Sequence, residues 1–128
     1  MQGGQSTISN DLKVDYGNSE IFTKRDMDAA LDEIDAEFVK WPGGCVLNSE
    51  SYSSDAECNT PENIKWMNEL AAGKGINEKF TQCIMFKTNF HSPVNGGGAW
   101  EPDKEYTDYQ WWLARSDGGQ WHLMTYGY

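Results

Sequence analysis

The chain has 128 residues, the usual size of a single domain, and is long enough to bury roughly two-thirds of the surface of its unfolded chain. Its 20 acidic and 10 basic side chains give a formal net charge of −10, which would repel a phosphate backbone and argues against nucleic acid as a partner. No apolar stretch approaches the roughly 20 residues that cross a bilayer, so no transmembrane segment is predicted.

Residues 1–20 mix Ser, Asn, Gly and Asp with isolated apolar residues and show no sustained period. They are predicted to form a flexible arm or tether. Residues 21–128 are predicted to form a single α+β domain.

The first predicted element is a long N-terminal amphipathic helix that begins after Thr23. Thr23 and Asp26 have the spacing of a capping box, and Phe22 and Met27 have that of a hydrophobic staple. Apolar residues then recur at helical spacing as far as Trp41, while acidic residues occupy the other face. A Pro-Gly-Gly sequence predicts the end of this helix.

The remaining elements are a strand at 45–52, a short second helix from Pro61 and three later strands. Clear alternation predicts a strand at 80–90, and segments 106–115 and 121–128 flank an Asp-Gly-Gly turn that is typical of a β-hairpin. The predicted fold is therefore α+β. The two helices pack on a curved antiparallel sheet of about four strands, and the chain ends in a β-hairpin.

The order of these elements resembles a known class of small domains. A Gly-Cys-Val-Leu strand at 44–47 follows the helix, and the chain closes on a hairpin that contains Trp121-His122-Leu123 and ends in Gly127-Tyr128. Residues 22–128 resemble small NTF2-like or cystatin-like domains, and also secreted proteins or lipoproteins of Gram-positive anaerobic bacteria whose function is unknown. The resemblance implies an acidic cell-envelope protein, secreted or anchored by a removed N-terminal segment, and so an extracytoplasmic location.

The three cysteines, Cys45, Cys58 and Cys83, are odd in number, so at most one internal disulfide can form. Three pairings are compatible with the sequence. None of the spacings is that of a redox motif or a zinc site, and the predicted interpretation is buried thiols with at most one disulfide. The sequence predicts no metal and no cofactor.

His91 and His122 are the side chains that titrate near neutrality without perturbation, and so are the natural candidates for a general base. His91 opens a Gly-rich loop, where a carboxylate from the following segment, Asp103, Glu105 or Asp108, could approach it. This pair defines an alternative function, a small NTF2-like enzyme with a His–carboxylate pair in a pocket. Neither histidine lies in a known catalytic motif, so the sequence favours a protein that is not an enzyme.

The aromatic residues carry the leading functional hypothesis. Trp111 and Trp112 are adjacent on a predicted strand and must point to opposite faces of the sheet. Trp111 shares its face with Tyr109 and Arg115, and Trp100 lies in the Gly-rich loop. An open face of this kind would suit a sugar ring, a peptide or a partner protein, unless the second helix or the N-terminal arm covers it.

The predicted function is therefore an extracytoplasmic binding or protein-interaction domain that uses an aromatic sheet face and the Gly-rich loop. The predicted ligand-binding residues are Trp100, Tyr109, Trp111 and Arg115, and the ligand is an unidentified protein, peptide or glycan. A further alternative is a structural domain whose aromatic face forms a homodimer.

Overall fold

The computed structural model describes residues 5–96 and 100–128, and within them five strands and three helices form an α+β fold. In chain order the elements are β1 (Thr7–Asp15), α1 (Lys24–Phe38), β2 (Val46–Tyr52), α2 (Asp55–Cys58), α3 (Pro61–Lys74), β3 (Gln82–His91), β4 (Glu105–Arg115) and β5 (His122–Gly127). The strands form one sheet in the order β1-β2-β3-β4-β5. Strand β1 runs parallel to β2, and the other neighbouring pairs are antiparallel.

The predicted fold class is wrong, because the sheet is mixed, has more than four strands, and is not preceded by a long helix. The first element is β1, which arises from the segment expected to be an arm and pairs with β2. Helices α1 and α3 have 15 and 14 residues, so neither stands out as long or short. Strand β1 has only a weak alternating pattern, because the polar residues 9–11 separate Ile8 from Leu12 and Val14, and its register with β2 shifts over the same stretch.

The starts of the helices follow local signals that are visible in the sequence. At α1 the N–H of Asp26 donates to the Thr23 hydroxyl (3.1 Å) and the N–H of Thr23 donates to the Asp26 carboxylate (2.9 Å), which confirms the capping box. At α3 the Thr60 hydroxyl caps the helix ahead of Pro61, and Gly75 with φ 74° ends it. No helix in the described part of the chain is long and apolar enough to span a membrane.

The sheet lies between two helical layers, so each of its faces has its own core. The larger core joins the apolar stripe of α1 to one face, where it includes Trp111 and Leu113. The smaller core joins Met67 and Ala71 of α3 to the other face. Trp112 lies on this second side, where its ring packs edge-on against Trp66 with centroids 5.1 Å apart. Both faces of β4 are therefore at least partly covered.

All three cysteines lie within the described residues, and all are free and buried. No disulfide forms among them, although the sequence left room for one. Burial raises the pKa of each thiol, so the reactive thiolate form is disfavoured in the folded protein.

Candidate functional site

Two exposed tyrosines at the end of β5 belong to a continuous cluster of aromatic rings. The side chains of Tyr126 and Tyr128 are 39% and 74% exposed. The Tyr128 ring meets Tyr109 edge-on with centroids 5.1 Å apart, and the Tyr126 ring lies 5.5 Å from Trp41. They contact Trp41 and Tyr109, which are each only 8% exposed, and the half-buried Trp100 adjoins both. We call these five residues the aromatic surface: Trp41, Trp100, Tyr109, Tyr126 and Tyr128.

The aromatic surface is supported from below by buried rings. Trp41 stacks on Trp100 on one side, with centroids 5.6 Å apart and planes inclined by 25°, and on Trp111 on the other, at 5.3 Å and 20°. Trp41 is held just after α1, where its N–H donates to the carbonyl of Phe38 (3.0 Å). Because stacked and edge-on rings of this kind constrain one another, the exposed rings rest on a prearranged base.

The phenols of this surface resist ionisation. Burial raises the pKa of Tyr109 to about 12, and the nearby phenols of Tyr126 and Tyr128 add to the effect. Burial is also the largest cause of the raised pKa values of Tyr126 and Tyr128. The surface therefore presents neutral, amphipathic rings near neutral pH, which suits apolar contact combined with hydrogen bonding.

The predicted ligand-binding residues do not all lie on this surface. Trp100 and Tyr109 do, with ring centroids 6.1 Å apart. Trp111 is fully buried beneath Trp41, and its indole N–H donates to the Thr88 hydroxyl (2.9 Å). Trp111 lies on the side of the sheet that α1 covers, so it supports the site from the core and does not reach a ligand.

Arg115 is the last residue of β4, six residues after Tyr109 and so roughly 20 Å from it at the usual rise of an extended strand. Its side chain is buried and binds Asp26 of α1 (3.2 Å) and Gln82 of β3 (2.7 Å). Its guanidinium also lies 4.2 Å from the centre of the Trp121 ring. Through these contacts Arg115 links α1 to the sheet, at a position away from the aromatic surface.

His91 is paired with two carboxylates on the surface, but Asp108 is not one of them. Its Nε2 lies 2.7 Å from Asp103 Oδ1 and its Nδ1 lies 2.9 Å from Glu105 Oε1. The hydrogen bond to Asp103, followed by that to Glu105, raises the pKa of His91 and favours the imidazolium, which can donate from both nitrogens. Asp108 is exposed, and its N–H donates to the side chain of Asn89 (3.1 Å).

The Gly-rich loop is described only at its two ends, and its residues 97–99 lie outside the described part of the chain. The buried Ser92 holds the ends together: its hydroxyl donates to the carbonyl of Glu101, and its N–H donates to the carbonyl of Lys104 (2.9 Å). The N–H of Glu101 in turn donates to the Tyr106 hydroxyl (2.8 Å). These bonds place Trp100 over the end of the sheet.

Three cavities lined by described residues follow β5, with volumes of about 380, 300 and 140 Å³. The cavity of about 300 Å³ is lined by Glu37 of α1, Lys74 of α3 and residues 123–126. Because α1 and α3 lie on opposite faces of the sheet, a cavity that touches both helices and β5 opens at the edge of the sheet. The other two continue along residues 119–122 and 125–128.

Comparison with known proteins gives no relative. No family model matches the chain, and no curated protein or solved structure matches it. The resemblance to NTF2-like domains and to secreted proteins of anaerobes therefore stays a prediction, and the site rests on its own geometry.

A pair of buried carboxyl groups beneath α1 was not predicted. Glu50 of β2 is 1% exposed and contacts Asp35 of α1, and each has a buried oxygen with no partner among the described residues. Burial, followed by the contact with Asp35, raises the pKa of Glu50 to about 10. The pair therefore carries a proton at neutral pH. Acidic residues are common both in α1 and in the chain as a whole, so nothing in the sequence marked these two.

A metal site is not found at these acidic clusters. Within residues 5–96 and 100–128, no group of three or more His, Cys, Asp or Glu side chains is arranged to hold a metal ion.

Proposed function

We propose that this protein is a binding domain whose ligand docks on the aromatic surface. The observation that carries the proposal is the exposure of Tyr126 and Tyr128 on top of buried Trp and Tyr rings. Tyrosine and tryptophan supply large contact areas at low entropic cost, and they are enriched among residues that dominate binding energy. Trp100 extends this surface from the Gly-rich loop.

The alternative of a small enzyme receives less support from the geometry around His91. Both of its ring nitrogens are occupied by carboxylates, and its raised pKa favours the protonated form. A general base needs a free nitrogen within hydrogen-bonding reach of a substrate proton. These two contacts are better explained as a structural link between the end of β3 and the segment that leads into β4.

An extracytoplasmic location is also part of this proposal, and it is supported by the resemblance to secreted proteins. The three buried thiols are compatible with it, because shielded cysteines with raised pKa values react slowly with oxidants. Fractionation of the source cells tests the location. Recovery of the protein in the cytosolic fraction would contradict it.

The binding proposal can be tested with variants matched for exposure. Tyr126 is 39% exposed, and Ile21, which is outside both the aromatic surface and the Gly-rich loop, is also 39% exposed. Wild type, Tyr126→Ala, the double variant Tyr126→Ala/Tyr128→Ala and the control Ile21→Ala are applied to arrays of random peptides and of immobilised glycans. Circular dichroism checks that all four are folded.

We expect ligands that bind wild type to bind the control equally and to bind the double tyrosine variant at least about tenfold more weakly, as for loss of a binding hot spot. The proposal fails if wild type retains nothing from either array. It also fails if the control loses binding to the same extent as the double tyrosine variant.

A further inference from the structure

We propose that β5 accepts an extended, basic peptide as an additional strand of the sheet, with the peptide held in the groove between α1 and α3. This inference rests on the proposed binding function and specifies its partner. Strand β5 pairs with β4 on one side, and no described residue pairs with its other side. An edge strand of this kind presents free N–H and C=O groups that a second chain can use.

The composition of β5 leaves this edge open. Its sequence, His-Leu-Met-Thr-Tyr-Gly, contains no Asp, Glu, Lys, Arg or Pro. These are the residues with which proteins usually block edge strands against pairing. Strand β1, at the other edge, differs in this respect because it carries the exposed side chains of Asp11, Lys13 and Asp15. The two edges of the sheet are therefore not equivalent, and β5 is the one suited to pairing.

A bulge in β5 indicates where the peptide pairs. Leu123 faces Leu113 and Thr125 faces Trp112, which leaves Met124 as an extra residue in the ladder. The regular part of the edge is then 125–127, next to the exposed Tyr126 and Tyr128. A peptide paired there places its backbone on β5 and its side chains beside the aromatic surface.

The cavities along β5 fit the alternating side chains of an extended ligand. The cavity at residues 125–128 is lined by Trp66 and Trp112, on the side of the sheet that α3 covers. The cavity at residues 119–122 is lined by Ala29 and Glu33 of α1, on the other side. Since successive side chains of a strand point to opposite faces, one bound segment can use cavities on both sides.

Charge complementarity favours a basic peptide. In the described part of the chain, Glu33 and Glu37 of α1 line two of these cavities. The basic side chains Lys74 and Arg115 also line them, one each, but Arg115 is already paired with Asp26. The whole chain has a formal charge of −10. A field of this sign attracts Lys-rich and Arg-rich segments and raises their rate of association at low salt.

The same charges oppose a second copy of the chain at this edge. Two copies paired through β5 about a two-fold axis perpendicular to the sheet would place both α1 helices on one side of the joined sheet. Glu33 and Glu37 of each copy would then approach those of the other, and like charges brought together weaken an interface. A basic peptide meets no such repulsion.

The test begins with a displayed library of random decapeptides selected against the wild-type protein at low salt. We expect the enriched sequences to contain Lys or Arg, and the same peptides as synthetic compounds to bind in solution. Two versions of each peptide are then methylated, one at every odd backbone nitrogen and one at every even backbone nitrogen. One version should bind at least tenfold more weakly, because it lacks the N–H groups that donate to β5. Hydrogen exchange of the amides of residues 123–127 should slow when the peptide is bound.

Protein variants test the charge component. Glu33→Gln/Glu37→Gln should weaken the peptide and flatten the dependence of affinity on salt. The control Glu62→Gln/Glu69→Gln removes two exposed carboxylates from α3, outside the lining of the β5 cavities, and should leave the salt dependence closer to that of wild type.

Each other outcome overturns the inference in a recognisable way. Peptides that need Tyr126 and Tyr128 but tolerate methylation at every nitrogen would refute strand addition and leave the binding function standing. Enrichment of acidic peptides, or no enrichment of any peptide, would refute the basic partner. The glycan array would then test the proposed binding function on its own. Slow exchange of residues 123–127 in a dimer detected by sedimentation would show that a second copy occupies the edge.

Discussion

Replacement of Glu50 by Gln should make the protein more stable, relative to wild type, as the pH rises. In the folded state Glu50 is buried against Asp35, and its pKa is raised to about 10 from the ordinary value of 4.5. The folded protein therefore holds a proton that the unfolded chain releases. The stabilising effect of this proton is complete below about pH 4.5 and is lost as the pH rises towards 10.

The size of the effect follows from proton linkage. One proton taken up on folding lowers the free energy of unfolding by about 1.4 kcal/mol for each pH unit, or about 3 kcal/mol between pH 6 and pH 8. The glutamine side chain of the Glu50→Gln variant does not titrate, and its amide can donate to the Asp35 carboxylate in place of the carboxylic acid. The stability of this variant relative to wild type should therefore rise across this range by up to that amount.

Urea unfolding followed by tryptophan fluorescence at pH 6, 7 and 8 measures the effect. Glu69→Gln, which removes an exposed carboxylate from α3, serves as the control and should run parallel to wild type. Equal pH slopes for wild type and Glu50→Gln would refute the shared proton.

The buried and paired groups give three further predictions. Arg115→Met should lower the free energy of unfolding by about 3 kcal/mol, because it leaves the partly buried Asp26 without its cation. The control Arg25→Met changes an exposed arginine and should have little effect. Similar losses of stability in both variants would contradict the role of Arg115. The pKa of His91, followed by NMR, should lie above 6.5 and should fall towards that value when Asp103 is replaced by Asn; no change on that replacement would argue against the pair. The thiols of Cys45, Cys58 and Cys83 should react slowly with a disulfide reagent in the native protein, and all of them should react rapidly in denaturant. Fast labelling of the folded protein would contradict their burial.

The sequence predicts the features that depend on residues close together in the chain. The capping box of Thr23 and Asp26 and the Thr60-Pro61 start of α3 are encoded within one helical turn, and both form as expected. The turn of the terminal hairpin is also local, and β4 and β5 flank it. Such signals need no knowledge of the rest of the fold.

Features that depend on distant partners could not be predicted in the same way. Strand β1 is defined by its pairing with β2, across the whole of α1, and the polar residues 9–11 interrupt the alternation that would otherwise have marked it. Alternation separates Trp111 from Trp112, but it does not say which helix covers which face. That choice is made by Trp41 and Trp66, which pack on one face and the other.

The sequence predicts the candidate site only in part, because the site also depends on contacts between residues that are distant in the chain. The sequence marks Trp100 and Tyr109 as aromatic residues in a loop and a strand, and the structure brings them together. The exposure of Tyr126 and Tyr128 and the burial of Arg115 depend on tertiary contacts that the sequence does not display. The buried Glu50 is the clearest case, because it follows polar residues in a strand and looks like a surface residue.

The strand order of the sheet has a consequence for how the protein is made. Strands β1 to β5 lie side by side in the order in which they are synthesised. Each new strand can therefore dock on the free edge of the strands made before it, without being inserted between strands that are already paired. This order limits the number of strands left unpaired at any stage of synthesis. Strand β5 is then the last strand to be added to the sheet, and its outer edge is the last edge to become available for pairing.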